Sequence, residues 1–191
     1  AYKVNYNGKA HDLKEIENFV VADYSLNNAI DSSNYDITYE PDNVNAGIVK
    51  ATIVGKGSYA GNTKVVYFGI LPAEIDADDV SKEDALTIDY NNDLDASLYA
   101  DAFGLKIETT LDGQKVTLTE GTDYTVEYFY TAAEVKDTPV TISQKADGQN
   151  AVNNWVTAKI KLTKDGNYKD VGIEYVSLEM IEKSIENVTI V

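Results

Sequence analysis

Cysteine is absent from this sequence of 191 residues. Disulfides, thiolate catalysis and cysteine-based metal sites are therefore excluded. Arginine is absent too, because all 16 basic residues are lysine. That removes the planar fork that clamps phosphate or carboxylate bidentately. His11 is the only histidine. A Ser-His-Asp arrangement needs a histidine beside a nucleophile and an orienting acid, and His11 sits on a polar N-terminal segment that reads as surface. No run approaches the roughly 18 apolar residues of a membrane span. No leader-like segment opens the chain, so any export signal or wall anchor is expected outside it or already removed. Positive charge is scarce: 32 acidic residues outweigh the lysines, for a net charge of −16 and a pI near 4.3. Such a balance argues against nucleic acid, whose binding needs basic patches that displace counterions. It argues equally against anionic membrane surfaces, and it favours solubility and mutual repulsion in a crowded display.

What is present is a β pattern. Tyr35, Ile37 and Tyr39 alternate with Asp36, Thr38 and Glu40, a period of two with bulky residues on one face. Pro41-Asp42-Asn43 breaks that strand with turn-forming residues. Val49, Ala51 and Ile53 alternate in the next, Gly55-Lys56-Gly57 turns it, and Val66, Phe68 and Ile70 line a third. Tyr59 falls between turn residues, where its ring can close the end of a small core. The 14 tyrosines against 4 phenylalanines suit thin sheets with half-exposed faces.

The pattern returns. Tyr124-x-Val-x-Tyr128 matches Tyr35-x-Ile-x-Tyr39, and Gly166-Asn167-Tyr168 matches Gly57-Ser58-Tyr59. The second copy is longer by an insertion spanning roughly residues 129–149. Ile75 with Val80 also matches Ile185 with Ile190, a period of 110 residues. Internal repeats of this kind mean an array of folded units. The expected division is residues 1–70, residues 71–181, and the start of a further repeat at 182–191.

Particular motifs carry a resemblance. Tyr6-Asn7-Gly8-Lys9, Asn45-Ala46-Gly47 and Gly55-Lys56-Gly57-Ser58-Tyr59-Ala60-Gly61 stand in the first copy. Leu111-Asp112-Gly113 and Leu118-Thr119-Glu120-Gly121-Thr122-Asp123-Tyr124 stand in the second. Together they resemble the immunoglobulin-like tandem repeats of large cell-surface proteins from Gram-positive bacteria. The second copy departs from that pattern at Lys164-Asp165-Gly166 and at Asp170. The resemblance implies an all-β chain of two tandem immunoglobulin-like β-sandwich domains, with short helices allowed. It also implies a secreted protein at the cell surface or cell wall, serving spacing, display or adhesion rather than catalysis. Fold alone does not fix function.

Along the chain, Tyr2, Val4 and Tyr6 alternate as a strand. His11 to Phe19 spaces Leu13, Ile16 and Phe19 as a short helix would, or forms an irregular strand. Asp93 to Gly104 reads as a second short helix, with Asp93 as its N-cap, Leu94 and Leu98 inward, and Gly104 as its stop. Strands are expected over 106–110, 115–118, 124–130, 140–143, 155–163 and 171–180, with a hairpin turn at Asp147-Gly148. By the repeat's own spacing the first copy is short of an opening strand. Either that strand lies outside this sequence, or Ser184–Val191 of a neighbouring molecule fills the gap and the chain self-associates through it.

Few residues point to chemistry. Asp89, Asn91, Asp93 and Asp95 take alternate positions of a calcium loop, since hard cations favour oxygen ligands at that spacing. Leu94 stands where the loop needs glycine and Ala100 where it needs a bidentate glutamate, so a solvated acidic loop is the competing reading. Otherwise no cofactor is implied. Trp155, with Tyr128 and Tyr130, reads as an aromatic platform for sugar rings beside the insertion. The alternative places Trp155 in the core of a sandwich. A Lys–Asn isopeptide crosslink beside an acid would need all three groups buried. The resulting expectation is a non-catalytic stalk, display or adhesin segment, whose partner is a glycan or another surface protein. The alternatives are a glycan-binding accessory module built on the second repeat, and a fibre subunit joined by strand exchange.

Overall fold

The computed structural model describes residues 2–88, 95–135, 142–143 and 155–182. Over these residues the chain is mostly β. It divides into two compact units, Ala1–Ala73 with Asp165–Tyr168, and Glu74–Lys164 with Lys169–Val191.

The first unit contains β1 (Lys3–Asn5), β2 (Ala22–Asp23), β3 (Asn28–Ala29), β4 (Tyr35–Glu40), β5 (Gly47–Gly55) and β6 (Thr63–Leu71). Four of them form one sheet in the order β1-β6-β5-β4, and β2 with β3 is a separate hairpin. The β4, β5 and β6 pairings are antiparallel, whereas β1 joins β6 in parallel. The alternating residues do what their period requires. Val49, Ala51, Phe68 and Ile70 are buried with Leu13, and Val4, Ile37, Tyr39 and Val66 pack against them. Ala51 stands opposite Tyr39, so the smallest core side chain leaves room for one of the largest. Tyr39 meets Phe68 edge to face at 6.2 Å.

His11 to Phe19 forms a single 3-10 turn, Leu13–Glu15, rather than a helix. The Asp12 carboxylate caps it by accepting from the Lys14 amide at 2.9 Å, and Asn18 at φ 65° lies outside the helical region. The apolar spacing reported burial, since Leu13, Ile16 and Phe19 all reach the core. The Tyr39 hydroxyl donates to Asp12 Oδ1 at 2.8 Å and accepts from the Leu13 amide at 3.0 Å. Burial, with Asp12 and Glu15 nearby, pushes its pKa up to about 12. The protonated phenol is thus favoured by folding. That contribution is complete below pH ~10, the ordinary tyrosine value, and is lost as pH rises through about 12. Stability of the wild type is expected to fall across that window, and Tyr39→Phe to flatten part of the fall, as read by denaturant midpoints at stepped alkaline pH.

Gly55 turns the β5 end against its own loop. A Cβ there would lie 2.2 Å from the Tyr59 carbonyl oxygen. Gly55→Ala must therefore displace backbone, and a loss of about 1–3 kcal/mol is expected from urea denaturation.

The second unit takes up β7 (Ala73–Ile75) from Glu74 on, β8 (Val80–Ser81), β9 (Leu86–Ile88), β10 (Lys106–Leu111), β11 (Gln114–Thr117), β12 (Tyr124–Thr131), β13 (Ile142–Ser143), β14 (Trp155–Leu162), β15 (Tyr168–Asp170) from Lys169 on, and β16 (Tyr175–Glu182). Five strands form a sheet in the order β13-β12-β14-β16-β9, three form β11-β10-β8, and β7 pairs with β15. The expected strand at 171–180 begins later, at Tyr175. Asp170 Oδ1 accepts from the Gly172 and Ile173 amides and closes a turn first, with Gly172 at φ 124°. The expected hairpin turn at Asp147-Gly148 lies outside the described residues, as do most of the insertion and residues 183–191.

Asp95 caps a 3-10 turn, Ala96–Tyr99, which runs into α1 (Ala100–Phe103) and stops at Gly104 in a left-handed conformation. The turn presents Ala96, Tyr99, Ala100 and Phe103 to the core of Tyr128, Tyr130, Val156, Ala158, Leu178 and Leu86. Leu98, expected inward, is 64% exposed. The tighter turn starting at Asp95 rotates the apolar stripe away from it. Leu94 and the expected cap Asp93 are outside the described residues.

Both units share one frame at the level of register. Tyr39, Ala51 and Val66 stand in line across the first sheet as Tyr128, Ala158 and Val176 do across the second. Val4 faces Ile70 in a parallel pair as Leu86 faces Met180. The Lys56 amide donates to the Asn34 carbonyl at 2.7 Å, and the Thr163 amide to the Asp123 carbonyl at 2.8 Å.

Candidate functional site

Strands β12, β14 and β16 turn their even-numbered side chains to the core of the second unit. Their odd-numbered residues form the opposite face. Trp155 is opposite Thr131 on one side and Glu179 on the other, so it belongs to that second face. Tyr128 and Tyr130 do not. Tyr130 is 1% exposed and Tyr128 is buried as well, with rings edge-on to Tyr99 and Phe103 at 6.3 and 5.3 Å. The expected three-ring platform is therefore split by the sheet, because one residue of offset in a strand reverses the face. Burial drives the Tyr128 phenol up to about 12 and moves Tyr130 in the same direction. Trp155 is half-buried, neither a core residue nor fully open.

At the centre of this face lie three buried hydroxyls. Thr131 Oγ1 and Thr157 Oγ1 are 2.8 Å apart, and Thr157 Oγ1 and Ser177 Oγ are 2.8 Å apart. Both ends of the row are fixed by backbone. The Val135 amide donates to Ser177 Oγ at 3.0 Å, and the Thr131 hydroxyl donates to the Ala133 carbonyl at 2.9 Å. A hydroxyl has one proton to give. Thr131 spends its proton on Ala133, so Thr157 must donate to Thr131 and Ser177 to Thr157. The direction of all the bonds is thereby set. The row crosses three strands and holds residues 133–135, the root of the insertion, at two points. A fully satisfied buried network of this kind selects one conformation.

Beside the row a groove of about 350 Å³ opens, lined among others by Lys82, Glu134, Val135, Ile173, Tyr175 and Ser177. The Lys159 ammonium stands 5.7 Å from the centre of the Tyr175 ring. An aromatic face, a lysine and a carboxylate around an apolar floor suit a polar ligand with one apolar side, as a sugar ring has. They do not make a nucleophile, because the Ser177 proton is committed to Thr157 and no histidine lies beside it.

Other expected sites fall elsewhere. Asp89, Asn91 and Asp93 lie outside the described residues. Asp95 Oδ1 caps its turn by accepting from the Ser97 amide at 3.0 Å. Among the described residues no three His, Cys, Asp or Glu side chains are grouped to hold a metal ion, and no lysine is buried as an isopeptide bond would require. Nor is any helix of the described residues long and apolar enough to cross a membrane. His11, read as a surface residue, is half-buried in the first unit, with its Nε2 enclosed and unpartnered among the described residues. It borders a cavity of about 160 Å³ that Asp12, Leu13, Ile16 and Phe68 also line. Its backbone is tied to Asn43 through two hydrogen bonds, His11 N to Asn43 O and Asn43 Nδ2 to His11 O, which draws the segment inward.

The hydroxyl row was not anticipated from sequence. Its signal was there, in hydroxyl residues set between large apolar ones as Tyr130-Thr131, Val156-Thr157-Ala158 and Val176-Ser177-Leu178. Polar residues at the outward positions of otherwise buried strands read by default as solvent-facing.

No protein-family model, no curated protein and no solved structure matches this chain.

Proposed function

We propose that the chain is a non-catalytic structural and adhesive module: a pair of immunoglobulin-like repeats that space or display partners at the surface or wall of the cell that secretes it. The observation that carries this reading is the shared frame. Core pairs and turn bonds recur at the same register in both units, while the outer faces diverge. Where the second unit has Phe129, Thr157 and Ser177, the first has Glu40, Lys50 and Tyr67. Glu40 and Lys50 form a solvent-exposed ion pair at 2.8 Å, and Tyr67 is 60% exposed. Duplicating a scaffold while varying its face fits a spacer better than a catalyst, since a catalyst depends on one fixed constellation. Antibody labelling of intact cells that make the protein tests the location. Signal lost on protease shaving supports the reading, and signal obtained only after lysis overturns it.

A second reading is favoured by Trp155 and the Tyr175 groove on one face: a glycan-binding accessory module. Affinity electrophoresis against soluble plant, host and cell-wall polysaccharides separates the two. A spacer is expected to migrate unretarded. Retardation by one polysaccharide, abolished in a folded Trp155→Ala variant, establishes the glycan-binding reading instead.

A further inference from the structure

Asn7 is the only asparagine of the sequence that precedes a glycine; every other one is followed by a residue with a side chain. The pair lies just after β1. Gly8 takes the left-handed conformation, at φ 76°. Asn7 folds its side chain over that bend, and the Lys9 amide donates to Asn7 Oδ1 at 2.9 Å. A side chain bonded to the amide two residues on arches across the amide between them. Asn7 Cγ is thereby held over the Gly8 nitrogen. Among the described residues no hydrogen bond occupies the Gly8 amide. Gly8 and Lys9 are exposed, so water reaches both. A Cβ on residue 8 would find only the Tyr6 hydroxyl nearby, at 4.0 Å. With glycine there, the approach to the nitrogen stays open.

We infer that Asn7-Gly8 is a self-modification site, at which the chain converts Asn7 to aspartate and isoaspartate with water as the co-reactant. The Gly8 amide nitrogen gives its proton to water or hydroxide and adds to Asn7 Cγ. Negative charge then develops on Oδ1, the atom to which the Lys9 amide already donates. A donor fixed on a developing oxyanion lowers the barrier, and nucleophile and electrophile held in one bend need no encounter. The side-chain nitrogen takes a proton from water and leaves as ammonia, and a succinimide ring closes. Water opens that ring in one of two ways. Breaking the bond from the Gly8 nitrogen to Cγ restores the main chain, with aspartate at position 7. Breaking its bond to the Asn7 carbonyl carbon reroutes the main chain through Cβ, as isoaspartate. In net terms an amide and water become a carboxylate and ammonium. Asp112 and Asp165 also precede glycine, but an ionised carboxylate resists nucleophilic addition, so Asn7 reacts first. The isoaspartate form adds one backbone atom to a segment pinned at both ends. Tyr6 N donates to Leu71 O at 2.8 Å on one side, and His11 is tied twice to Asn43 on the other. The residues between must absorb the extra atom.

This inference goes beyond the structural-module reading and stands independently of it. Incubation of the full chain at neutral and mildly alkaline pH tests it, beside the same chain held unfolded in urea. Peptide mapping by tandem mass spectrometry reads the product. Asn7 is expected to convert before any other asparagine, faster at the higher pH, and no more slowly than in urea. Water labelled with heavy oxygen should leave its label in the new carboxyl group, and isoaspartate should exceed aspartate. Conversion at position 7 should be lost in Asn7→Gln and slowed about tenfold in Gly8→Ala, whose Cβ screens the nitrogen. Should Gly8→Ala fail to fold at its left-handed φ, Lys9→Pro decides, since it removes the donor to Oδ1 and should also slow the reaction. An Asn7 that stays unconverted in the folded chain overturns the inference, as does conversion much slower there than in urea, because the fold would then protect the pair. Either result leaves the cell-surface and polysaccharide tests standing.

Discussion

Thr157→Val is expected to lower the stability of the second unit by about 2–4 kcal/mol, more than a near-isosteric change on a sheet surface normally costs. The reason is the one-way row of hydroxyls. Thr157 is fully buried and both accepts from Ser177 and donates to Thr131. Valine fills the same space but leaves the Ser177 proton without an acceptor and Thr131 without its donor. Each buried polar group left unsatisfied costs about 1–3 kcal/mol. The same logic makes the row non-additive. Replacing Thr131 and Thr157 with valine and Ser177 with alanine together should cost less than the sum of the three single changes. It should not be free, because the Val135 amide and the Ala133 carbonyl lose their partners. Denaturant unfolding of the singles and the triple measures both points. Additive losses would show that the hydroxyls do not act as one row.

Tyr130→Ala is expected to cost about 3–5 kcal/mol, whereas Trp155→Ala, in the adjoining strand, should cost only about 1 kcal/mol. Tyr130 is enclosed among Val156, Leu178, Leu86 and Phe103, so truncation opens a cavity that the short α1 segment cannot collapse to fill. Trp155 lies on the other face and is partly solvated already. Tyr130→Phe separates ring from hydroxyl. It keeps the packing and should remove part of the alkaline destabilisation, because burial and then Tyr99 raise the phenol's pKa. Since the protonated form is the favoured one, that part of the stability exists below pH ~10 and fades above it. Urea midpoints at neutral and alkaline pH resolve both effects. Equal losses for Tyr130→Ala and Trp155→Ala would contradict the assignment of faces.

Strand identity was readable in the sequence because alternation is a local property. Tyr35-Ile37-Tyr39 and Tyr124-Val126-Tyr128 announce a two-residue period without any knowledge of partners. Helical spacing was a partial guide: Ala96–Phe103 coils as a 3-10 turn and a short α-helix that stop at Gly104 as expected, whereas residues 11–19 hold only one 3-10 turn. Leu13, Ile16 and Phe19 lie inward along an irregular segment, and Leu98 turned outward once Asp95, rather than an earlier residue, capped the turn. Which face of the sheet Trp155 shares was not legible either. That depends on the register between β12 and β14 across a long insertion, and a shift of one residue would have put Trp155 beside Tyr130. The buried hydroxyls escaped notice because their burial follows from residues 133–135 folding back over the sheet, a contact of tertiary origin.

One feature of the first unit bears on how it would respond to load. The strand nearest its beginning, β1, runs parallel to β6, with Lys3, Val4 and Asn5 paired to Gly69, Ile70 and Leu71. Tension applied to the ends of two parallel neighbours pulls them past each other lengthwise. All their cross-strand hydrogen bonds are then strained together and must rupture at once, whereas an antiparallel pair pulled from one end opens bond by bond. Between β9 and β16 the second unit has the same parallel clamp. A chain stretched between an anchor and a tethered partner would meet, in each unit, a mechanical lock whose strength depends on the direction of pull.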